Sequence, residues 1–336
     1  MSATIKAISY YLPEKKFSNE DFGKLFPDSL SNINLEKLGI KERRIVEEKQ
    51  TASDLAVQSA SQLFKEHNID KNNIDFILFC AQEFDHYTPT TACLIQDRLE
   101  IPTHCGALDF NLGCSGFVYG LSLAKGLIEA CNCKNVLLLT SSTLTKTFHP
   151  KDKNSRYIFG DGAAATLVSS ESKEEYIGPF IFGTDGKRGD KIIIKDGGAR
   201  NPISKESIID VEDEYGNITN NAHFFMNGTS IFNFGLKTVP KMIEELLKKA
   251  SLNMDSIDLF IFHQTNNFMN EMIRKKIGIP ENKFVIHIEN CGNTVSSTIP
   301  IALYESIKSG KAKKGQTILL AAFGTGLSWA ATIIKL

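Results

Sequence analysis

The chain has 336 residues, a formal net charge of -1 and a pI ≈ 6.7. That length suits two domains or one large internal duplication, and the charge balance excludes an electrostatic nucleic-acid surface. The first twelve residues have no charged region leading into an apolar one, so no export signal is expected, and no run approaches the roughly 18 apolar residues of a membrane span.

In chain order, strands and helices alternate. Residues 4–9 read as a first strand, ended by Tyr11-Leu12-Pro13. Short polar helical pieces from 18 to 38 are interrupted at Pro27. Residues 39–45 are compact and basic, and read equally as a solvated turn or a ligand contact. Thr51 is a good N-cap for a helix to about His67, with Leu55, Ala56, Ala60 and Leu63 at helical spacing. Residues 74–80 form the kind of apolar run that a parallel sheet covered on both faces demands. Residues 90–99 predict a helix, 105–112 a strand, 117–130 an apolar helix, 135–140 a strand, and 159–168 a glycine turn entering another strand. From 176 to 227 the pattern weakens into polar, Gly-rich turns, which predict an insertion or linker. Residues 228–250 then read as a long amphipathic helix.

Cys114 lies in Gly113-Cys114-Ser115-Gly116, between a strand and a helix. Unpaired N–H groups and the dipole of a helix start favour negative charge, so this is a setting in which a thiol is readily held as thiolate. A buried, inert cysteine is the alternative, and this stretch alone leaves both open. The seven cysteines (80, 93, 105, 114, 131, 133, 291) are an odd number without export features, which predicts reduced thiols and a cytoplasmic protein.

The second half echoes the first. Residues 73–80 parallel 256–263, Asn111-Leu112-Gly113-Cys114 parallels Asn290-Cys291-Gly292-Asn293, and 160–168 parallel 324–333. If two such halves pack face to face, Cys114 from the first meets His263 and Asn293 from the second. His263 ends an apolar run and begins a polar one, so it belongs at the carboxyl edge of a strand, where open α/β sheets bind ligands. A histidine hydrogen-bonded in a loop is the alternative. For Asn293, just before a helical stretch, the alternative is an N-cap. No paired Cys or His pattern supports a metal site.

These residues resemble the β-ketoacyl-acyl carrier protein synthase III branch of the thiolase superfamily, essentially end to end. The resemblance rests on Gly39 through Ile45, Asp109 through Gly116, and Phe159-Gly160-Asp161-Gly162-Ala163. It continues through His263-Gln264-Thr265-Asn266, Gly292-Asn293-Thr294, and Ala322-Phe323-Gly324 with Trp329 nearby. It implies a five-layered αβαβα fold of two duplicated halves, divided here at 1–172 and 173–336. It also implies a homodimer, acyl-CoA or acyl carrier protein thioesters as substrates, a malonyl thioester as second substrate, and no cofactor. Cys114 would be acylated, with the N–H groups of Cys114 and Thr325 as oxyanion hole. His263 and Asn293 would then act as neutral donors to the enolate left by decarboxylation.

The resemblance also places Ile33, Lys37, Lys153, Asn266 and Phe268 at the substrate mouth, and Thr88 in the partner's acyl pocket. Many members carry tryptophan where Ile33 falls, arginine where Lys37 and Phe268 fall, and a bulkier residue than Thr88 before the proline. A mouth with less positive charge predicts an altered acyl donor or carrier. Three other classes are weighed against condensation: acyl transfer to an O, N or S nucleophile without decarboxylation, a cysteine hydrolase, and a non-catalytic scaffold. The internal duplication and the Gly-Cys-Ser-Gly turn count against the hydrolase, and the intact reactive residues against the scaffold. Lys241, Lys248, Arg274 and Lys275 read either as a carrier-docking patch or as a solvated face.

Overall fold

The computed structural model describes residues 2–27, 35–170 and 176–336. The first half contains β1 (Thr4–Tyr11), α1 (Ala52–His67), β2 (Phe76–Ala81), α2 (Thr91–Arg98), β3 (Gly106–Asn111), α3 (Gly116–Cys131), β4 (Asn135–Ser142) and β5 (Gly162–Ser169). Its sheet runs β1-β5-β4-β2-β3, with β2 parallel to β3 and β4, and β5 antiparallel to β4 and β1. The second half contains β6 (Tyr176–Thr184), α4 (Gly228–Ala250), β7 (Leu259–Phe262), α5 (Asn267–Ile277), β8 (Phe284–Val285), α6 (Thr298–Lys308), β9 (Thr317–Gly324) and β10 (Ser328–Lys335). Its sheet runs β6-β10-β9-β7-β8 with the same directions. The two sheets therefore share one topology, as the repeats in the sequence predict.

Layering follows from which faces are apolar. α3 carries apolar residues round most of its surface, the pattern of a helix buried on all sides. Its Phe117, Val118 and Leu121 pack with Leu78 and Leu138 of the first sheet and Ile261 and Leu320 of the second. Ile299 and Leu303 of α6 join the same cluster. α1 covers the outer face of the first sheet through Ala56, Ala60 and Leu63, and its start is fixed by a capping box between Thr51 and Asp54. α4 covers the outer face of the second through Phe234, Ile243 and Leu246. The order is α, β, α, β, α. Each fully buried leucine or phenylalanine in these layers contributes about 1.5–3 kcal/mol relative to exposure.

Two expectations need correction. Residues 176–227 are not simply an insertion, because β6 is a nine-residue strand paired antiparallel with β10. Its signal is weak because it is an edge strand carrying Gly178, Pro179 and Gly183, residues that read as turns. Gly183 is required there, since a Cβ would stand 1.9 Å from the Trp329 ring. The irregular remainder is tied by a short pairing of Ile192–Ile193 with Phe225–Met226. Residues 39–45, which read as a solvated turn or a ligand contact, hold a short strand, Glu42–Arg44, paired with Lys16–Ser18, with Lys41 exposed beside Glu289 and Arg43 fully buried. The Arg43 side chain is structural. Its guanidinium donates to the Tyr157 carbonyl and to Asn19 Oδ1, while burial lowers its pKa to about 10.

Among the described residues, no helix is long and apolar enough to cross a membrane. The division expected at 172/173 and the position of Ile33 lie outside the described residues.

Candidate active site

The cleft between the halves is built where strands end. β3 stops at Asn111 and α3 begins at Gly116, so Cys114 sits in the turn between them, 9% exposed. The turn fits only because its neighbours lack side chains. A Cβ on Gly113 would stand 2.7 Å from Gln82 Oε1, and one on Gly324 would stand 2.6 Å from Cys114 Sγ. Burial pushes the Cys114 thiol up to about 11, against hydrogen bonds from the Thr325 backbone and hydroxyl and from its own backbone. The thiolate expected from the helix start is therefore not the resting form. Enclosing the sulfur outweighs the N–H groups aimed at it.

His263 follows β7 directly, and its N–H donates to the Ala321 carbonyl at 2.8 Å. It is 1% exposed, and burial lowers its pKa to about 3, so the ring is neutral. Nδ1 lies 2.7 Å from Thr298 Oγ1, and Nε2 lies 3.5 Å from Asn293 Nδ2. Asn293 is held by three bonds. Its N–H donates to the Ile158 carbonyl at 2.9 Å, its carbonyl accepts from Gly160 N–H at 3.1 Å, and Oδ1 accepts from Val295 N–H at 2.9 Å. Because Oδ1 is occupied by an N–H donor, Nδ2 is the amide group beside His263. Asn293 is not the N-cap of α6, which begins at Thr298 after Ser297, but its side chain does satisfy the first N–H of the helical turn at Val295–Ser297 that leads into it.

Cys114, His263 and Asn293 line one cleft of about 200 Å³ that opens to solvent, with Thr325 beside them. Leu144, Phe159, Phe224, Ile231, Val295 and Phe323 make its walls apolar. Toward solvent, Phe268 is 40% exposed and stacks on Phe232 with ring centres 5.6 Å apart and planes at 8°. The Lys37 ammonium sits over the Phe268 ring, 5.4 Å from its centre. Asn266 also lines the cleft, and its side chain accepts from Met269 N–H to cap α5.

Other expected site residues lie elsewhere. Lys153 is not part of the lining, and its ammonium donates to the Tyr215 carbonyl at 2.8 Å. Thr88 is on an exposed loop away from this chain's own cleft. Arg274 is not available as a surface cation, because Glu271 and the Ile279 carbonyl hold it. The sequence reading missed Gln82, Phe232 and Thr298. Gln82 was findable as the polar residue following an apolar strand run, at the edge where ligands bind. Thr298 had no local signal, because its contact with His263 spans 35 positions.

The duplicated fold, with a buried cysteine, a neutral histidine and an amide in one apolar cleft, defines a thiolase-type acyltransferase. Residues 108–186 match the family described as 3-oxoacyl-[acyl-carrier-protein (ACP)] synthase III, and residues 247–336 match its C-terminal region. A β-ketoacyl-[acyl-carrier-protein] synthase III of Caldanaerobacter subterraneus subsp. tengcongensis is 35% identical over 100% of this chain and 98% of its own. One from Clostridium perfringens is 34% identical over 100% of this chain and 99% of its own. A crystal structure of a 3-oxoacyl-(acyl-carrier-protein) synthase III superimposes with a TM-score of 0.98 at 45% identity, covering 100% of each chain. The priming β-ketosynthase of the R1128 polyketide pathway gives 0.86 at 25% identity over 100% of this chain and 96% of that one. The chain belongs to the 3-oxoacyl-[acyl-carrier-protein] synthase III family.

Proposed function

We propose that the protein condenses an acyl thioester with a malonyl thioester through an acyl group carried on Cys114, giving a 3-oxoacyl thioester and CO₂. The observation that carries this reading is the neutral His263 ring and the Asn293 amide side by side, 3.5 Å apart in a cleft with largely apolar walls. Two donors at that separation can both reach one oxygen at ordinary hydrogen-bond length.

In the first half-reaction the Cys114 sulfur attacks the acyl carbonyl, with the developing oxyanion at the N–H groups of Cys114 and Thr325. The departing thiol leaves with the proton that Cys114 gives up. In the second, the malonyl carboxylate leaves as CO₂, and the electron pair it leaves behind spreads onto the thioester oxygen, where His263 and Asn293 donate. The enolate carbon then attacks the acyl-cysteine, a carbon–carbon bond forms, and the Cys114 sulfur is released and reprotonated. Each such donor is worth on the order of 3 kcal/mol in the transition state. Acyl transfer to an O, N or S nucleophile would instead need a base to deprotonate that nucleophile. Donors aimed at one oxygen favour condensation.

The first half of the fold supplies the nucleophile and the second supplies the donors. The rim supports an altered acyl donor or carrier, because a stacked aromatic pair with the single ammonium of Lys37 over it stands where a phosphate-rich ligand would favour a bidentate guanidinium. A homodimer joined through the free edge of β3, in the cytoplasm, completes the reading. Leu108 of that edge is 46% exposed. Light scattering tests the dimer, and a single-chain mass would overturn it. The functional test is the intact mass of the protein after exposure to a panel of acyl thioesters. The added mass identifies the donor and should vanish in Cys114→Ala. Labelling that survives this substitution contradicts the assignment, and a robust preference for acetyl-CoA over all other donors contradicts the altered specificity.

A further inference from the structure

His263 is buried and neutral, so only one of its two ring nitrogens carries hydrogen. Which one decides what the ring offers the substrate. With hydrogen on Nε2, it presents a donor to the cleft beside the Asn293 amide. With hydrogen on Nδ1, it presents a lone pair, which cannot stabilise an enolate oxygen.

Nδ1 has one partner among the described residues, Thr298 Oγ1 at 2.7 Å. The Thr298 hydroxyl has a single proton and two acceptors in reach, that nitrogen and the Val295 carbonyl at 3.1 Å. We propose that Thr298 is a positioning residue whose hydroxyl donates to His263 Nδ1 and so fixes the ring as the Nε2–H tautomer. Two considerations favour this assignment. The contact to Nδ1 is the shorter of the two. The proposed condensation needs hydrogen on Nε2 beside the Asn293 amide, which leaves Nδ1 a bare acceptor that the Thr298 hydroxyl alone is placed to satisfy among the described residues. Thr298 and its neighbour Val295 thus set both donors. One orients the imidazole, and the other, through its backbone N–H, turns the Asn293 amide. Thr298 is not among the residues that line the cleft with Cys114, so its effect falls on the condensing half-reaction.

This inference rests on the proposed condensation, and its test separates the two. Thr298→Val removes the hydroxyl at nearly constant shape, and Thr298→Ser retains it. Acylation of Cys114 is followed by intact mass, condensation by kcat and KM for the malonyl thioester, and the tautomer by ¹⁵N shifts of the His263 ring. In Thr298→Val, kcat for condensation should fall ~100-fold, the loss seen when one oxyanion donor is removed, with KM and the acylation rate unchanged. Thr298→Ser should restore condensation, and the wild-type ring should show Nε2 protonated and Nδ1 bare. A valine variant that condenses at the wild-type rate, one that loses acylation and condensation equally, or a wild-type ring protonated on Nδ1 overturns the proposal. If the valine variant does not fold, the ring shifts of the wild-type protein and the serine rescue still decide it. A wild-type protein that never condenses defeats the functional reading, whereas the ring shifts test Thr298 independently.

Discussion

Gly324→Ala isolates the geometry of the nucleophile. A Cβ at this position would stand 2.6 Å from Cys114 Sγ and 2.7 Å from Cys114 Cβ, where comfortable contact is about 3.5–4.0 Å. The overlap is therefore roughly 1 Å. Gly324 ends β9 opposite Ser328 and has no left-handed φ, so alanine adds no backbone strain. The displacement falls instead on the Cys114 turn. A misplacement of about 1 Å at a reacting centre costs on the order of 100-fold, or about 2.7 kcal/mol of barrier. Overpacking should also lower stability by about 1–3 kcal/mol. Single-turnover acylation followed by intact mass reads the first effect, and urea unfolding the second. A folded Gly324→Ala protein that acylates at the wild-type rate would show that Cys114 Sγ is not the confined nucleophile described above.

Asn293→Ala removes one of the two cleft donors and should slow condensation by about 10²–10³-fold while Cys114 still takes up the acyl group; equal loss of both steps in rate assays would contradict that division. The raised Cys114 thiol is protonated at neutral pH, and its thiolate fraction grows with pH until about 11. Alkylation by iodoacetamide should therefore climb about tenfold per pH unit between roughly 7 and 9, whereas a plateau by about pH 8 would mean that burial does not control the thiol. His263, with its pKa lowered to about 3, loses its charge far below the ordinary imidazole value of 6.5. The pH profile of condensation should thus show no limb from this ring near neutrality, and one that disappears in a His263 variant would refute the neutral assignment. Asp161→Ala strips the carboxylate that accepts from Val46 N–H, Thr145 N–H and the Thr145 hydroxyl. Leaving these buried donors unpaired should cost at least about 3 kcal/mol in urea unfolding, and a loss under about 1 kcal/mol would mean that the site relaxes or admits water.

The elements with strong periodicity were legible in the sequence. β2, β4 and α3 are apolar enough to announce burial, and the Thr51 cap marks the start of α1 within one residue. The duplication was visible as well, because strands with equivalent roles in the two sheets carry similar runs, and it brought Cys114, His263 and Asn293 together before any coordinates. β6 was hidden because an edge strand tolerates Gly and Pro. The burial of Arg43 was not legible because the partners that make it tolerable, the Tyr157 carbonyl and Asn19, lie far away in the chain. The charge state of Cys114, left open by the sequence, was hidden for a related reason. A helix start is visible locally, but the enclosure of the sulfur by Gly324 and Thr325 comes from the other half. Thr298 belongs to the same class of long-range contact.

Condensation itself is tested most directly by supplying an acyl donor identified from the mass panel together with a malonyl thioester labelled with ¹³C at its free carboxyl. Labelled CO₂ and 3-oxoacyl thioester are then counted in the same reaction. The account predicts equal amounts of the two, with the 3-oxoacyl product lost in Cys114→Ala. Acyl product on an oxygen, nitrogen or sulfur acceptor with no release of labelled CO₂ would contradict it.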